Sequence, residues 1–352
     1  MTLRVLIPTL LLLVPIAEGQ LLTGARVDRP LTVGEVHHWE VDAAAGDFVQ
    51  VVAVQRGVDV VATVLDPAGQ AVGTFDTPNG DLEQEIRFIA GPPGRYRVEI
   101  RAAMPEAEPG RYSIRLAARR PATATDRRVA AAISAQVDAN RLRMSPDARR
   151  ASLERYRDAM ALWREAGERA GEANALRAMG FAYIRLKEDD EAYKVFSQTR
   201  GLWRELGDVR AEAFALLVLG TIHTRREEPL DTRAKALEAL PLFRRAGDRW
   251  QEAFTLGEIG DTYARMKNRA QADRWFDRAL AVARKTRKPS LQAAILGNRA
   301  RACEVLGDTA GALDAYTRSA DLWDAARMPK HAAEARAQIA KLQTPRFNTV
   351  PH

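Results

Sequence analysis

The stretch ALRAMGFAYIRLKEDDEAYKVF, residues 175–196, decides the fold of most of the chain. Its apolar residues recur with the three- and four-residue spacing of a helix, a pattern that begins after Pro121. Related stretches follow at residues 215–236, 255–276 and 295–316, each 40 residues further on. A fixed period of this length is typical of stacked helical hairpins, so we predict an all-α solenoid over residues 126–343.

Columns of matching residues define this repeat. Small residues in the first helix of each hairpin let the antiparallel second helix approach to about 8–10 Å, and aromatic residues fill the gaps between hairpins. The columns are Leu162, Leu202, Leu242, Val282 and Leu322; Trp163, Trp203, Phe243, Ala283 and Trp323; and Gly180, Gly220, Gly260 and Ala300. Second helices add the pairs Ala192 and Phe196, Ala272 and Phe276, and Ala312 and Tyr316.

This spacing is similar to that of the tetratricopeptide repeat. The second repeat departs from the pattern, with Thr232 and Ala236 in place of an alanine and an aromatic residue, and with Pro241 inside its second helix. We therefore expect that hairpin to be kinked or loosely packed. Arg299 replaces an apolar residue beside Ala300, which we expect to weaken the first helix of the fourth repeat.

Both ends of the array are also predicted. Residues 126–166 indicate a degenerate leading hairpin, in which Tyr156 and Trp163 keep the register. Residues 330–342 indicate a polar cap helix, and residues 344–352 form a tail. The helical region is thus expected to contain the leading hairpin, four repeats and the cap.

Residues 28–118 have a different texture. Apolar and polar side chains alternate in short runs separated by turn residues, which predicts a jelly-roll-like antiparallel β-sandwich of seven strands. The continuous apolar runs 48–54 and 58–65 indicate central strands covered on both faces. The acidic and amide residues near the turns are interpreted as turn formers rather than calcium ligands. They are Asp59, Asp66, Asp76, Asn79 and Asp81.

Residues 1–19 form a candidate export signal. Arg4 precedes the apolar run Val5 to Ala17, and the triplet ending at Gly19 has small residues at both ends, as before a cleavage site. The run is too short for a membrane span of about 20 residues, although an uncleaved anchor stays an alternative. We expect a periplasmic or secreted protein, cut before Gln20, without stable membrane insertion after cleavage and without a nucleic-acid partner.

The order of the parts resembles a particular group of secreted bacterial proteins. Residues 34–41, 45–52, 55–61 and 76–80 are similar to the N-terminal sandwich of proteins in which tetratricopeptide repeats precede a CHAT domain, a caspase-like peptidase. The sandwich resembles the pre-peptidase C-terminal type of domain, and residues 156–167 resemble the first repeat of those proteins. The resemblance covers residues 28 to about 340 and does not include a peptidase domain.

The cysteine and the histidines of this chain are not expected to form a peptidase site. Caspase-like catalysis needs a cysteine and a histidine that act together. The single cysteine, Cys303, shares a repeat column with Tyr183, His223 and Tyr263, so we interpret Cys303 and His223 as packing residues. His37 and His38 are adjacent on a predicted strand and would point to opposite faces.

The two remaining histidines, His331 and His352, are expected to be solvated. We predict no catalytic residue, no cofactor and no metal site, and therefore expect that the chain is not an enzyme.

Charge is divided unevenly between the two regions. Residues 20–120 contain 11 basic and 14 acidic side chains, whereas residues 121–352 contain 41 and 31. In a tetratricopeptide array the first helices line the inner groove, and Arg185, Arg225 and Arg265 recur at one inward position. This predicts a row of guanidinium groups that suits an acidic peptide or a C-terminal carboxylate. The alternative is a solvated face whose charges only keep the solenoid soluble. The further candidate groove residues are Arg177, Arg301, Phe214, Leu217 and Phe254.

Two functions are compatible with this pattern. The first is a non-enzymatic extracytoplasmic scaffold whose groove binds a protein or peptide partner. The alternative is the regulatory or truncated half of a CHAT-type peptidase whose catalytic domain lies on another chain. Carbohydrate binding by the sandwich would need exposed aromatic residues, but Trp39, Tyr96 and Tyr112 lie in alternating strands and are predicted to face the core.

Overall fold

The computed structural model describes residues 19–76, 83–103 and 109–344. The chain divides into two compact units between Ala130 and Ala131. The predicted export signal, apart from Gly19, lies outside the described residues, as do Asn79, Asp81 and the tail from residue 345 onwards, including His352.

The first unit contains an antiparallel β-sandwich. Its described strands are β1 (Arg26–Leu31), β2 (Val36–Ala43), β3 (Asp47–Arg56), β4 (Val60–Leu65), β5 (Ala71–Asp76), β6 (Glu83–Ile89), β7 (Gly94–Ala102) and β8 (Gly110–Pro121). They form two four-stranded sheets in the orders β1-β8-β3-β6 and β2-β7-β4-β5. The sandwich is confirmed, but the predicted count of seven strands is wrong, because the described residues already form eight. The two continuous apolar runs form β3 and β4, which lie inside their sheets.

Alternation of side chains builds the core of the sandwich. Trp39, Tyr96 and Tyr112 are buried, as the alternation predicts. The Trp39 indole donates a hydrogen bond to the Tyr112 hydroxyl at 2.8 Å. Burial raises the pKa of Tyr112 to about 12, so this phenol stays protonated.

Helices follow without further strands in the described part. They are α1 (Ala124–Met144), α2 (Ala151–Glu165), α3 (Arg169–Leu186), α4 (Asp189–Leu206), α5 (Val209–Arg225), α6 (Pro229–Arg245), α7 (Arg249–Arg265), α8 (Arg269–Lys285), α9 (Pro289–Val305), α10 (Thr309–Ala325) and α11 (Pro329–Gln343). Consecutive helices from α2 onwards pack on one another, and α7 also packs on α9. The helical array is therefore tetratricopeptide-like. None of the described helices is long and apolar enough to cross a bilayer.

Short turns separate the helices at regular intervals. From Gly167 to Arg327, a residue with positive φ recurs every 20 positions and reverses the chain between helices. Asp208, Asp248 and Asp308 each accept a backbone hydrogen bond at a helix N-terminus. Each 40-residue repeat is thus two helices and two such turns.

The glycine column lies against the aromatic column. A Cβ atom at Gly180 would stand 2.7 Å from the ring of Phe196, and one at Gly260 would stand 2.9 Å from Phe276. At Gly220 the nearest atoms would be 3.4 Å away, because Ala236 replaces the aromatic residue opposite. The close approach therefore exists only where the aromatic partner exists.

Buried glutamates connect successive hairpins through hydrogen bonds from arginines, a feature that the matching columns did not predict. Glu172, Glu212 and Glu252 stand in the first turns of α3, α5 and α7 and are at most 7% exposed. Each receives a hydrogen bond from an arginine eight residues earlier, in the preceding helix. The visible signal is a glutamate eight residues after an arginine, repeated at the 40-residue period. The fourth repeat has Gln292 at this position.

Two expectations about helix quality need correction. Helix α6 continues through Pro241, and Phe243 after it is fully buried, so the looseness of this hairpin lies at Ala236 instead. Helix α9 is regular despite Arg299, whose guanidinium reaches Asp273 and Asp277 on α8 at 3.0 Å each. Ala300 beside it stays in the core, since Arg299 is directed away from it.

Candidate functional site

The three recurring arginines occupy the last turns of α3, α5 and α7 and are exposed. Two of them are already neutralised within the array. The Arg225 Nε donates to Asp189 at 3.1 Å, and the Arg265 Nε donates to Asp261 at 2.7 Å. Arg185 has no side-chain partner among the described residues. Of the three guanidinium groups in the predicted row, Arg185 is therefore the one that remains available to an acidic ligand in the described part of the chain.

The other candidate arginines are also bound to neighbours. Arg177 lies within 3.5 Å of the Asn174 side chain, and Arg301 donates to Asn298 at 2.6 Å. Both contacts are to amides on the same helix rather than to carboxylates.

The three apolar candidates differ in accessibility. Leu217 is buried and belongs to the core of the array. Phe214 is half-buried beside Phe181, with ring centroids 6.3 Å apart, and Phe254 is also half-buried. Leu217 nevertheless lines a cavity, which makes it the apolar candidate nearest to a defined recess.

A polar hollow lies between α5, α6 and α7, next to Ala236. It consists of two adjoining cavities of about 250 and 140 Å³ that share the walls Thr224, Thr232 and Thr262. The missing aromatic residue at position 236 accounts for the space, because Phe196, Phe276 and Tyr316 fill the equivalent place in the other repeats. The structure thus brings Leu217 and Arg265 to one hollow; Arg177, Arg185, Phe214, Arg225, Phe254 and Arg301 do not line it.

Glu258 on α7 is the unusual residue of this hollow. It is partly buried and makes no hydrogen bond or ion pair with any residue in the described ranges. Burial, with a smaller contribution from the nearby Asp261, raises the pKa of Glu258 to about 7. Sequence reasoning missed this residue. The sequence does contain a signal for it: Glu258 is a carboxylate two residues before Gly260, at a position where the first two repeats have the apolar residues Ala178 and Val218.

The packing interpretation of the shared column is supported by the structure. Cys303 is buried, and burial raises the pKa of its thiol, which disfavours the thiolate. His223 packs edge-on against Tyr193, and its Nδ1 lies 2.6 Å from Glu228. His223, Glu228 and Asp231 place potential ligand atoms within 4.8 Å of one another, but the short contact from His223 to Glu228 is a hydrogen bond.

The other histidines have separate roles. His37 points inward to the Tyr112 hydroxyl at 2.8 Å, whereas His38 is exposed near Glu99, so the two do lie on opposite faces. Burial lowers the pKa of His37. The expectation of a solvated His331 is wrong, because its ring packs on Trp323 with centroids 4.6 Å apart. Asp66 accepts hydrogen bonds from Ala68 and Gln70, which makes it a turn former as predicted.

Comparisons with known proteins give distant matches among solved structures. No family model and no curated protein matches the sequence. Among solved structures, BtubC from P. vanneervenii matches at 19% identity over 66% of this chain and 98% of its own, with a TM-score of 0.40. A signal transduction ATPase with a tetratricopeptide repeat sensor, from Pyrococcus horikoshii, matches at 19% identity over 61% and 32%, with a TM-score of 0.46.

A smaller likeness concerns the sandwich. The pre-peptidase C-terminal domain of a collagenase from Bacillus anthracis matches at 14% identity over 28% of this chain and 91% of its own, with a TM-score of 0.24.

Proposed function

We propose that this protein is a non-enzymatic interaction scaffold whose helical array binds an extended segment of a protein partner. The supporting observation is the polar hollow, which the first helices of two successive repeats, α5 and α7, form together with α6. Leu217, Thr221 and Thr224 come from the first of these helices, and Asp261 and Arg265 from the second. A recess that spans two repeats suits a ligand that crosses helices.

The partner is proposed to carry a carboxylate near Arg185. This guanidinium is exposed and unpaired in the described part of the chain, whereas Arg225 and Arg265 already have carboxylate partners. An incoming acid gains a new charge-assisted hydrogen bond only where no internal acid competes. Arg185 is therefore expected to contribute more to binding than either of the other two.

Arginine substitutions test this binding face. Arg185→Gln is expected to weaken the partner's affinity by about tenfold, and Arg225→Gln and Arg265→Gln by much less. The measurement is calorimetric titration with a partner captured from an extracytoplasmic extract, at two salt concentrations. Arg245→Gln and Arg274→Gln, at exposed positions of helices α6 and α8, are the controls. Equal binding by all variants, independent of salt, would refute the role of this face.

The protein is also proposed to act outside the cytoplasm after cleavage before Gln20. The apolar run and the small residues around position 19 support this proposal. Leu21 is buried and its N–H donates to the Glu40 carbonyl, so a chain that starts at Gln20 keeps this anchor. N-terminal sequencing of the native protein is expected to begin at or near Gln20. A native chain that retains Met1 would contradict cleavage.

A further inference from the structure

The threonines that line the hollow use their hydroxyl protons within the protein. The Thr221 hydroxyl donates to the Leu217 carbonyl at 3.1 Å, and the Thr262 hydroxyl donates to the Ile259 carbonyl at 2.7 Å. Thr224 and Thr232 also contact backbone carbonyls, and a hydrogen bond of 3.1 Å joins their two hydroxyls. A hydroxyl has one proton, and here that proton is used within the helices. One oxygen of the Thr224 and Thr232 pair accepts a hydrogen bond from the other. The remaining lone pairs of the threonines favour a ligand that donates hydrogen bonds.

The charges around the hollow have the same preference. The carboxylates of Glu227, Glu228, Glu258 and Asp261 line the two cavities, and Arg265, which is bound to Asp261, is the one basic lining residue in the described part. His223 lies next to Glu228. These carboxylates would repel a bound anion, whereas a bound cation would compensate their negative charge.

Glu258 supplies an unsatisfied partner. Burial raises the pKa of this carboxyl group, and the nearby Asp261 raises it further. A positive group in the hollow would favour ionised Glu258 and donate a charge-assisted hydrogen bond to it. Leu217 and Ala236 form an apolar part of the lining against which an alkyl chain can lie.

We propose that the hollow between α5, α6 and α7 is a subsite for a lysine side chain of the bound segment, with Glu258 as the carboxylate that receives its ammonium group. This inference rests on the proposed function, because it names the chemistry of one position in the same partner. The alkyl stem passes Leu217 and Ala236, and the ammonium donates to Glu258 and to threonine oxygens. Arg185, on α3, remains the separate position for an acidic group.

Titration with a capped lysine tests the subsite directly. The probe is N-acetyl-lysine methylamide, added to the full chain with ¹³C-labelled threonine methyl groups and followed by NMR. Saturable shifts are expected at Thr221, Thr224 and Thr262. The norleucine analogue, which has the alkyl chain without the ammonium, is expected to leave these signals unchanged.

Two variants connect the response to the hollow. Glu258→Gln is expected to weaken lysine binding by about tenfold, whereas Glu165→Gln on α2 leaves it unchanged. Ala236→Phe places in the second repeat the ring that Phe196 and Phe276 provide elsewhere, and is expected to abolish the response. Since Gly220 stands opposite, as Gly180 does opposite Phe196, the ring has a matching neighbour.

Several results would overturn the subsite. These are no saturable shift with lysine, equal shifts with norleucine, or an unchanged response in Glu258→Gln. A folded Ala236→Phe protein that still responds would do the same. A captured partner that binds Ala236→Phe as tightly as the parent would remove the lysine subsite but leave the scaffold function standing. Failure to capture any partner would count against the scaffold, while the lysine titration would be read independently.

Discussion

Replacing Gly180 by alanine is expected to lower the free energy of unfolding by about 2 kcal/mol, because the added methyl group would overlap the Phe196 ring. The ideal Cβ position lies 2.7 Å from that ring, and Phe196 is fully buried in a hydrophobic cluster. A fully buried ring can move aside only by displacing its packed neighbours. Urea unfolding of the array, followed by circular dichroism, measures the loss.

Gly220→Ala is the matched control in the next repeat. Its nearest neighbours would be 3.4 Å away, and alanine is favoured over glycine inside a helix by about 1 kcal/mol. We therefore expect Gly220→Ala to preserve or raise stability. Gly260→Ala, opposite Phe276, is expected to behave as Gly180→Ala does. Equal effects at positions 180 and 220 would contradict the pairing of each glycine with an aromatic residue.

The periodic part of the fold could be predicted because each repeat buries equivalent side chains. Gly180 and Phe196, or Gly260 and Phe276, are in contact, so both members of each pair recur at the same period. The same logic located the weak second repeat, since Ala236 breaks the aromatic column. Alternation likewise identified the buried faces of the sandwich strands, but one strand was missed in the count.

The state of the candidate site could not be predicted in this way. Asp189 is 36 residues before Arg225 and belongs to the preceding hairpin, so a column of arginines alone does not reveal its neutralisation. The acceptor character of the hollow depends on hydroxyl directions within α5, α6 and α7. Glu258 is isolated because its neighbours across the hollow are threonines rather than arginines. Ion pairing and hydroxyl direction depend on contacts between residues of different repeat columns, and a search for matching residues at one position does not reveal such contacts.

Glu252→Gln is expected to cost about 2 kcal/mol of unfolding free energy at neutral pH. Glu252 is 3% exposed, and its carboxylate accepts hydrogen bonds from Arg244 at 2.8 Å and from Arg249 at 2.6 Å. Loss of one member of a buried ion pair costs about 3–5 kcal/mol, and the exposure of both arginines to solvent reduces that figure. Urea unfolding of both proteins measures the difference.

Glu154→Gln on α2 is the control, because its ion pair with Arg157 is exposed at both ends. We expect that substitution to change stability by less than about 0.5 kcal/mol. A cost at Glu252 no larger than at Glu154 would show that burial adds nothing to the ion pair.

Acid should remove the advantage of Glu252 in a defined direction. Burial alone would raise the pKa of Glu252, but the hydrogen bonds and charges of Arg244 and Arg249 outweigh it and lower the pKa overall. A carboxyl group with a lowered pKa in the folded state stabilises the protein above the ordinary glutamate pKa of about 4.3, and this contribution is lost as the pH falls through the folded value. The stability difference between the parent and Glu252→Gln is therefore expected to be constant near neutral pH and to narrow below about pH 4. If the stability difference between the parent and Glu252→Gln stays unchanged between about pH 7 and about pH 3, the negative charge of Glu252 does not stabilise the contact between these hairpins.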